Sequence, residues 1–318
     1  MPWPPNHNSI GAQRQSWAEK YAASDAAAGI ETTENFTPFT QRNDIFTRAF
    51  WDDDVRTTDT DGFFASYRME ATPRRGDGFR QKDFALRNAS WLISDVISDR
   101  SAADGIREGF QAAIKADTPV APEAAEIDDP AKMSEEIKRI ARFFGADLCA
   151  VTELDERWQY ASRVDTRDMS EAPNELPAGI THVIVLGHQM EQSLVATYPS
   201  ALAGAATGRE YSHEAAIVMQ LATYIRNLGY EAVASMNDTG LVIPYALKSG
   251  LGEYARNQMV ITPQFGPRLR FSKIYTTLPL AIDTPKKLGV AAFCDICTKC
   301  ADACPVKALP FGPPEVGG

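Results

Sequence analysis

Thr181-His-Val-Ile-Val-Leu-Gly187 is the run on which the reading of the fold turns. Its unbroken apolar interior is too short for a buried helix and predicts a strand covered on both faces, near the centre of a sheet. Upstream, residues 146–152 predict a second strand. Before that, Asp129-Pro130 makes an N-cap and first-turn pair for a helix whose apolar face is Met133, Ile137, Ile140 and Phe144. Downstream, Ile217, Leu221, Tyr224, Ile225 and Leu228 share one face of a helix over 208–228, and Gly229 is its C-terminal stop. A strand over 231–235, a helix from Pro244, and strands near 258–262 and 271–278 complete the pattern. Helices and strands interleave from 131 to 278, so the expected class is α/β (α+β).

The flanks read differently. Residues 1–60, rich in Asp, Thr, Asn and Pro, predict an irregular arm. Residues 79–116 predict helices, with Trp91, Leu92, Val96 and Ile97 at helical spacing. The Ala- and Pro-rich stretch 117–130 is the expected linker. The expected division is an N-terminal region over 1–128, a core over 129–285 and a cysteine-bearing segment over 286–318.

At 318 residues, 44% hydrophobic and 23% charged, the chain has enough apolar material for a sizeable core. A net charge of -10 and a pI near 5.0 speak against a nucleic-acid partner, which calls for a basic surface. No apolar run reaches the ~18 residues that span a bilayer. The N-terminus has no signal-like apolar region, and the Arg74-Arg75 pair leads into Gly-Asp-Gly rather than an apolar run, so a cytoplasmic location is expected.

Four of the five cysteines lie within eleven residues, which points to metal ligation rather than a disulfide scaffold. Cys149, alone in an apolar stretch, reads as a core thiol. Cys294-Asp-Ile-Cys297-Thr-Lys-Cys300-Ala-Asp-Ala-Cys304-Pro305 has the C-x2-C-x2-C-x3-C-P spacing of bacterial ferredoxins. A structural zinc site needs a distant second cysteine pair, and none follows. In two-cluster proteins the fourth cysteine serves the other cluster. No cysteine follows Cys304, so either Cys304 closes a single [4Fe–4S] cluster or the chain is truncated after the first motif. Truncation is the expectation.

Before the cysteines, Tyr211-Ser-His213, Asn237-Asp-Thr-Gly240, Ser249-Gly-Leu-Gly-Glu253, Phe265-Gly-Pro-Arg268 and Leu278-Pro-Leu280 occur in that order. This ordered set resembles the catalytic subunit of corrinoid-dependent reductive dehalogenases, from about 131 to 310. The Gly-Leu-Gly and cysteine elements are shared with epoxyqueuosine reductase, a tRNA-modifying relative. The resemblance implies a nitroreductase-like core holding a base-off cobalamin, followed by a ferredoxin-like segment, with two [4Fe–4S] clusters in an intact member. It implies an organohalide substrate whose halogen is replaced by hydrogen, and a ferredoxin or flavin reductase as electron donor. A homodimer is left open. No Asp-x-His-x-x-Gly segment is found, in keeping with a corrinoid held without a histidine on cobalt.

By the same resemblance Tyr211 is the proton donor, Arg270 the cation beside it, and Asn237 a polar residue near the substrate. Lys273 competes with Arg270, because strand positions three apart face opposite ways and sequence does not choose between them. Ser212 and His213 adjoin the tyrosine, and Gly250-Leu251-Gly252 is the expected close approach of backbone to corrinoid. Lys248 and Arg256 are candidates for its side-chain or phosphate groups. Asp238 stands at the acid position expected of an epoxyqueuosine reductase. A bare electron-transfer protein without corrinoid is a third reading.

Overall fold

The computed structural model describes residues 7–65, 76–103, 118–165 and 168–313. The helices are α1 (His7–Ala28), α2 (Ile45–Arg48), α3 (Thr58–Ala65), α4 (Gln81–Ala103), α5 (Pro130–Phe144), α6 (Gln192–Val195), α7 (Ala201–Asn227), α8 (Ile243–Lys248), α9 (Val290–Ile296) and α10 (Lys299–Ala303). The strands are β1 (Leu148–Glu153), β2 (Ser162–Val164), β3 (Glu171–Pro173), β4 (His182–Gln189), β5 (Ala232–Ser235), β6 (Glu253–Tyr254), β7 (Val260–Ile261) and β8 (Leu269–Thr276). The main sheet runs β1-β4-β8-β5 and every pair in it is antiparallel, so helix and sheet are mixed in the α+β manner.

The apolar run that opened the reading is β4, and Val183 to Leu186 are fully buried. The cause is a layer on each face. Ile184, Leu186 and Ile274 face a core built with α5 and α7. Val183, Val185, Phe271 and Tyr275 face a second core with Tyr245, Ala246 and Leu247 of α8. Each fully buried branched side chain contributes roughly 1.5–3 kcal/mol.

The helix from Pro130 has its expected cap: the Asp129 carboxylate accepts from the N–H groups of Ala131 and Lys132. Helix α7 starts at Ala201, seven residues before the expected start, because Ser200 caps it by accepting from Ala203 N–H. It ends at Gly229 in a left-handed conformation, φ 87°.

Three expectations change. The N-terminal arm is not irregular throughout: α1 occupies 7–28 and docks through buried Trp17 and Tyr21. Two anchors in an otherwise polar, Ala-rich helix leave little periodic signal. On α4, Trp91 and Ile97 are buried, but Leu92 and Val96 are exposed, because the packed face also uses Phe84, Arg87 and Ser94. The expected linker is laid along the end of α7: Ala121 N–H and Ala125 N–H donate to the Arg226 and Leu228 carbonyls, and Tyr230 Oη donates to Ala125 O. The Arg74-Arg75 pair lies outside the described residues.

Candidate active site

Tyr211 projects from the buried face of α7, with 7% of its surface exposed. The Trp91 ring of α4 stacks on it at 5.1 Å between centroids, 27° between planes. The Arg270 guanidinium of β8 lies over the tyrosine ring, 3.3 Å from its centroid. At that distance a largely desolvated cation–π contact is worth about 2 kcal/mol. Asn237, in the turn after β5, closes the set. Its Nδ2 donates to Tyr211 Oη at 2.9 Å, and its Oδ1 accepts from Arg270 Nη2 at 3.4 Å. The guanidinium only donates, so it fixes which end of the amide faces it.

Sheet register separates the two competing cations. Arg270 pairs across β4 with His188 and shares the α7 face with Ser272 and Ile274. Lys273 is on the opposite face and fully buried, where it donates to the Met236 and Asp238 carbonyls at 2.8 and 3.0 Å. Both cations therefore meet the Asn237 turn from different sides, but Arg270 is the one at the tyrosine. Burial holds the Lys273 ammonium at a pKa of about 8, with Asp238 and Glu214 opposing.

Sequence reasoning passed over Glu214, one turn beyond Tyr211 on α7. Its Oε1 accepts from Arg270 Nε and Nη2 at 3.2 and 3.1 Å. The side chain is fully buried, and Oε2 has no hydrogen-bond partner. Burial pushes its pKa up to about 7, against the pull of Arg270. The available signal was spacing: Glu214 stands three residues before Ile217 and seven before Leu221, on the face of the helix that carries the core. His188 is also buried. Its Nε2 bonds Ser272 Oγ at 2.8 Å, and burial, helped by Arg270, lowers its pKa to about 3, so the ring is neutral.

The positions expected to hold a corrinoid have protein partners. Ser212 Oγ donates to Ser90 O and accepts from Ser94 N–H, pinning α7 to α4. Lys248 is buried between Asp25 and Asp155, with Nζ–O distances of 2.9 and 2.6 Å. Arg256 donates to the carbonyls of Cys294, Pro310 and Gly312. Gly250, at φ 72°, has no room for a Cβ beside the Thr284 carbonyl, and a Cβ on Gly252 would sit 2.6 Å from Val260 Cγ1. Leu251 packs into the second core. His213 alone is exposed, its pKa lowered by burial and by Arg209. Geometry at these seven residues therefore does not itself make a corrinoid cradle.

The cysteine segment fits an iron–sulfur group by donor chemistry. Cys294 is in α9, Cys297 directly follows it, Cys300 is in α10, and Cys304 directly follows that. All four are free thiols. Cys304 Sγ accepts from Ala308 N–H at 3.3 Å, and this amide, followed by those of Val306, Leu309 and Lys307, lowers the thiol's pKa. Amides turned toward sulfur favour thiolate, the form that binds metal. Among the described residues, no three His, Cys, Asp or Glu side chains stand close enough together to hold a metal ion as they are placed. Cys149 is the expected core thiol, pushed up to about 12 by burial.

No protein-family model matches the chain. It is 34% identical to the tetrachloroethene reductive dehalogenase of Dehalobacter restrictus over 218 aligned positions, covering 58% of this chain and 40% of that one. It is 35% identical to the Sulfurospirillum multivorans enzyme of the same name, covering 59% and 42%. Similarity to the Bacillus subtilis epoxyqueuosine reductase is 38% over 77 positions, 24% of this chain. The chain thus spans about 40% of the length of the curated relatives it matches. In fold it is similar to a solved catabolic reductive dehalogenase, with a TM-score of 0.65 at 22% identity, covering 88% of this chain and 36% of that one. The chain is thus similar in sequence to reductive dehalogenases over part of its length and shares a fold with one, and it is similar to epoxyqueuosine reductases over a shorter stretch.

Proposed function

We propose that this chain is the catalytic part of a reductive dehalogenase, in which Tyr211 delivers the proton that replaces halide on an organohalide. The observation that carries the reading is the Tyr211–Asn237–Arg270 cluster: a phenol, an amide donating to its oxygen, and a guanidinium over its ring. The net change takes up two electrons and one proton; the carbon–halogen bond breaks, a carbon–hydrogen bond forms, and halide leaves. As the Tyr211 O–H bond breaks, negative charge develops on Oη. Asn237 Nδ2 and the Arg270 charge stabilise it there, which is the condition for a phenol to act as general acid.

The resident groups proposed are a cobalamin and [4Fe–4S] clusters. The cobalamin rests on the resemblance, including a solved relative described in terms of B12-dependent dehalogenation. When bound, it supplies the reducing metal centre. Cys294, Cys297 and Cys300 would hold one cluster, and Cys304 would either close it or serve a second, with electrons from a ferredoxin or flavin reductase. A halogenated phenol suits the substrate class, since a relative of the same fold was solved with 3-bromo-4-hydroxybenzoic acid. Among the described residues no helix is long and apolar enough to cross a membrane.

The tRNA-modifying alternative is disfavoured at Asp238. Its Oδ1 accepts from Met236 N–H and Ser235 Oγ, and its Oδ2 from Thr239 Oγ1, so the carboxylate is consumed by its own turn. The test is anaerobic loading with cobalamin, iron and sulfide, followed by debromination of 3-bromo-4-hydroxybenzoic acid. Tyr211→Phe should lose about 100-fold or more in rate, the usual scale of a general acid, with cobalt and iron content unchanged. Parental turnover by that variant overturns the assignment.

A further inference from the structure

Glu214 is a fully buried carboxylate that holds the cation lying over Tyr211. Two of Arg270's nitrogens are drawn to one oxygen of Glu214, at 3.1 and 3.2 Å, while the guanidinium carbon sits 3.3 Å from the Tyr211 ring centroid. The other carboxylate oxygen is buried without a hydrogen-bond partner. That arrangement is costly. A paired, ionised carboxylate normally satisfies both oxygens, and an oxygen left buried without a partner carries the full cost of its desolvation. A side chain serving only to anchor Arg270 would be better placed with both oxygens bonded. A group that alternates between carboxylate and acid has a use for the spare oxygen as the place where the proton sits.

We propose that Glu214 is a positioning residue that clamps Arg270 across Tyr211 and, by gaining or losing a proton, sets how much of the guanidinium's charge reaches the phenol oxygen. Ionised, Glu214 neutralises Arg270, and a phenolate at Tyr211 receives little help. Protonated, it leaves the cation uncompensated, and the phenolate is stabilised. Proton delivery by Tyr211 and proton uptake by Glu214 therefore reinforce one another and keep the buried site's net charge constant. No proton passes through Arg270, which stays charged; the coupling is electrostatic. The charged and titratable groups acting on Glu214 are Arg270 and Lys273 from β8, and Glu210 from α7 itself. His188 faces Arg270 from β4 and stays neutral. Burial placing Glu214 at about 7 puts the switch within the working range of an enzyme.

This inference rests on Tyr211 being the acid, so the test is spectroscopic and independent of turnover. Tyrosine isotope-labelled at the ζ carbon is followed by NMR across pH, with the Tyr211 signal assigned by its absence in Tyr211→Phe. The parent protein should show a chemical-shift step near pH 7 at Tyr211, reporting Glu214. In Glu214→Gln the step should vanish, and phenolate formation should begin at lower pH than in the parent. A flat Tyr211 signal through neutrality in the parent overturns the proposal, whether or not the variant folds. A step that persists in Glu214→Gln also overturns it. If the step behaves as expected but the loaded protein debrominates nothing, the electrostatic coupling stands and the dehalogenase reading falls.

Discussion

Lys273 and Arg270 stand three positions apart on one strand, and that spacing gives them opposite tasks. Lys273 is a buried cation whose pKa falls from 10.5 to about 8. Between those values the unfolded chain holds a proton that the native state has shed. The unfolded state therefore binds more protons, and stability rises with pH across the window. Denaturant melts should show Lys273→Met flattening this rise by on the order of 3 kcal/mol relative to the parent. An unchanged slope would place the ammonium in contact with water. Sequence gave both cations as candidates and the geometric rule that separates them. It lacked the register that decides between them, since which face a strand turns to α7 depends on pairing set by β4. Glu214 was missed for a related reason: a charge on a helix reads as solvent-facing until the helix is known to be covered.

At the scale of elements, α4 against α7 decides how firmly the tyrosine is held. Gly208 is what lets Trp91 in, since a Cβ there would lie within 2.6 Å of the indole Cγ. Alanine is favoured over glycine in a helix by about 1 kcal/mol. Overpacking against a large, stacked ring costs typically 1–3 kcal/mol, so the clash wins. Gly208→Ala is expected to lower the melting midpoint and to weaken the Trp91–Tyr211 stack, visible as altered near-ultraviolet circular dichroism; a stabilised variant would refute it. Elements with strong punctuation were legible: the Asp129-Pro130 start of α5, the Gly229 end of α7 and the apolar run of β4 all stand where expected. Elements whose signal is tertiary were not. Among the described side chains of α1 the fully packed ones are Trp17 and Tyr21, and β6, two residues long, has no period to read, although β7 does fall inside the strand expected near 258–262.

Across the whole molecule, the N-terminal helix is fastened to the second core by a four-member ionic cluster. Arg157 bonds Asp25 and Asp155, Lys248 bonds the same two carboxylates, and both cations lie against the Tyr21 ring. Asp155 is fully buried, so Asp155→Asn leaves two interior cations short of a counter-charge. Removing one member of such a set costs about 3–5 kcal/mol, and urea denaturation should reveal that loss. A variant of parental stability would mean the cluster is hydrated. The opposite end of the chain is fastened more lightly. Arg256 reaches the carbonyls of Cys294, Pro310 and Gly312, and Glu253 Oε2 accepts from Val290 N–H. Both anchors belong to the stretch just after the Gly-Leu-Gly turn. A displacement of the Cys294 backbone is therefore handed to that turn through the Arg256 guanidinium, while the Glu253 carboxylate steadies the start of α9 beside it, so the cysteine stretch and the glycine turn are yoked by two side chains.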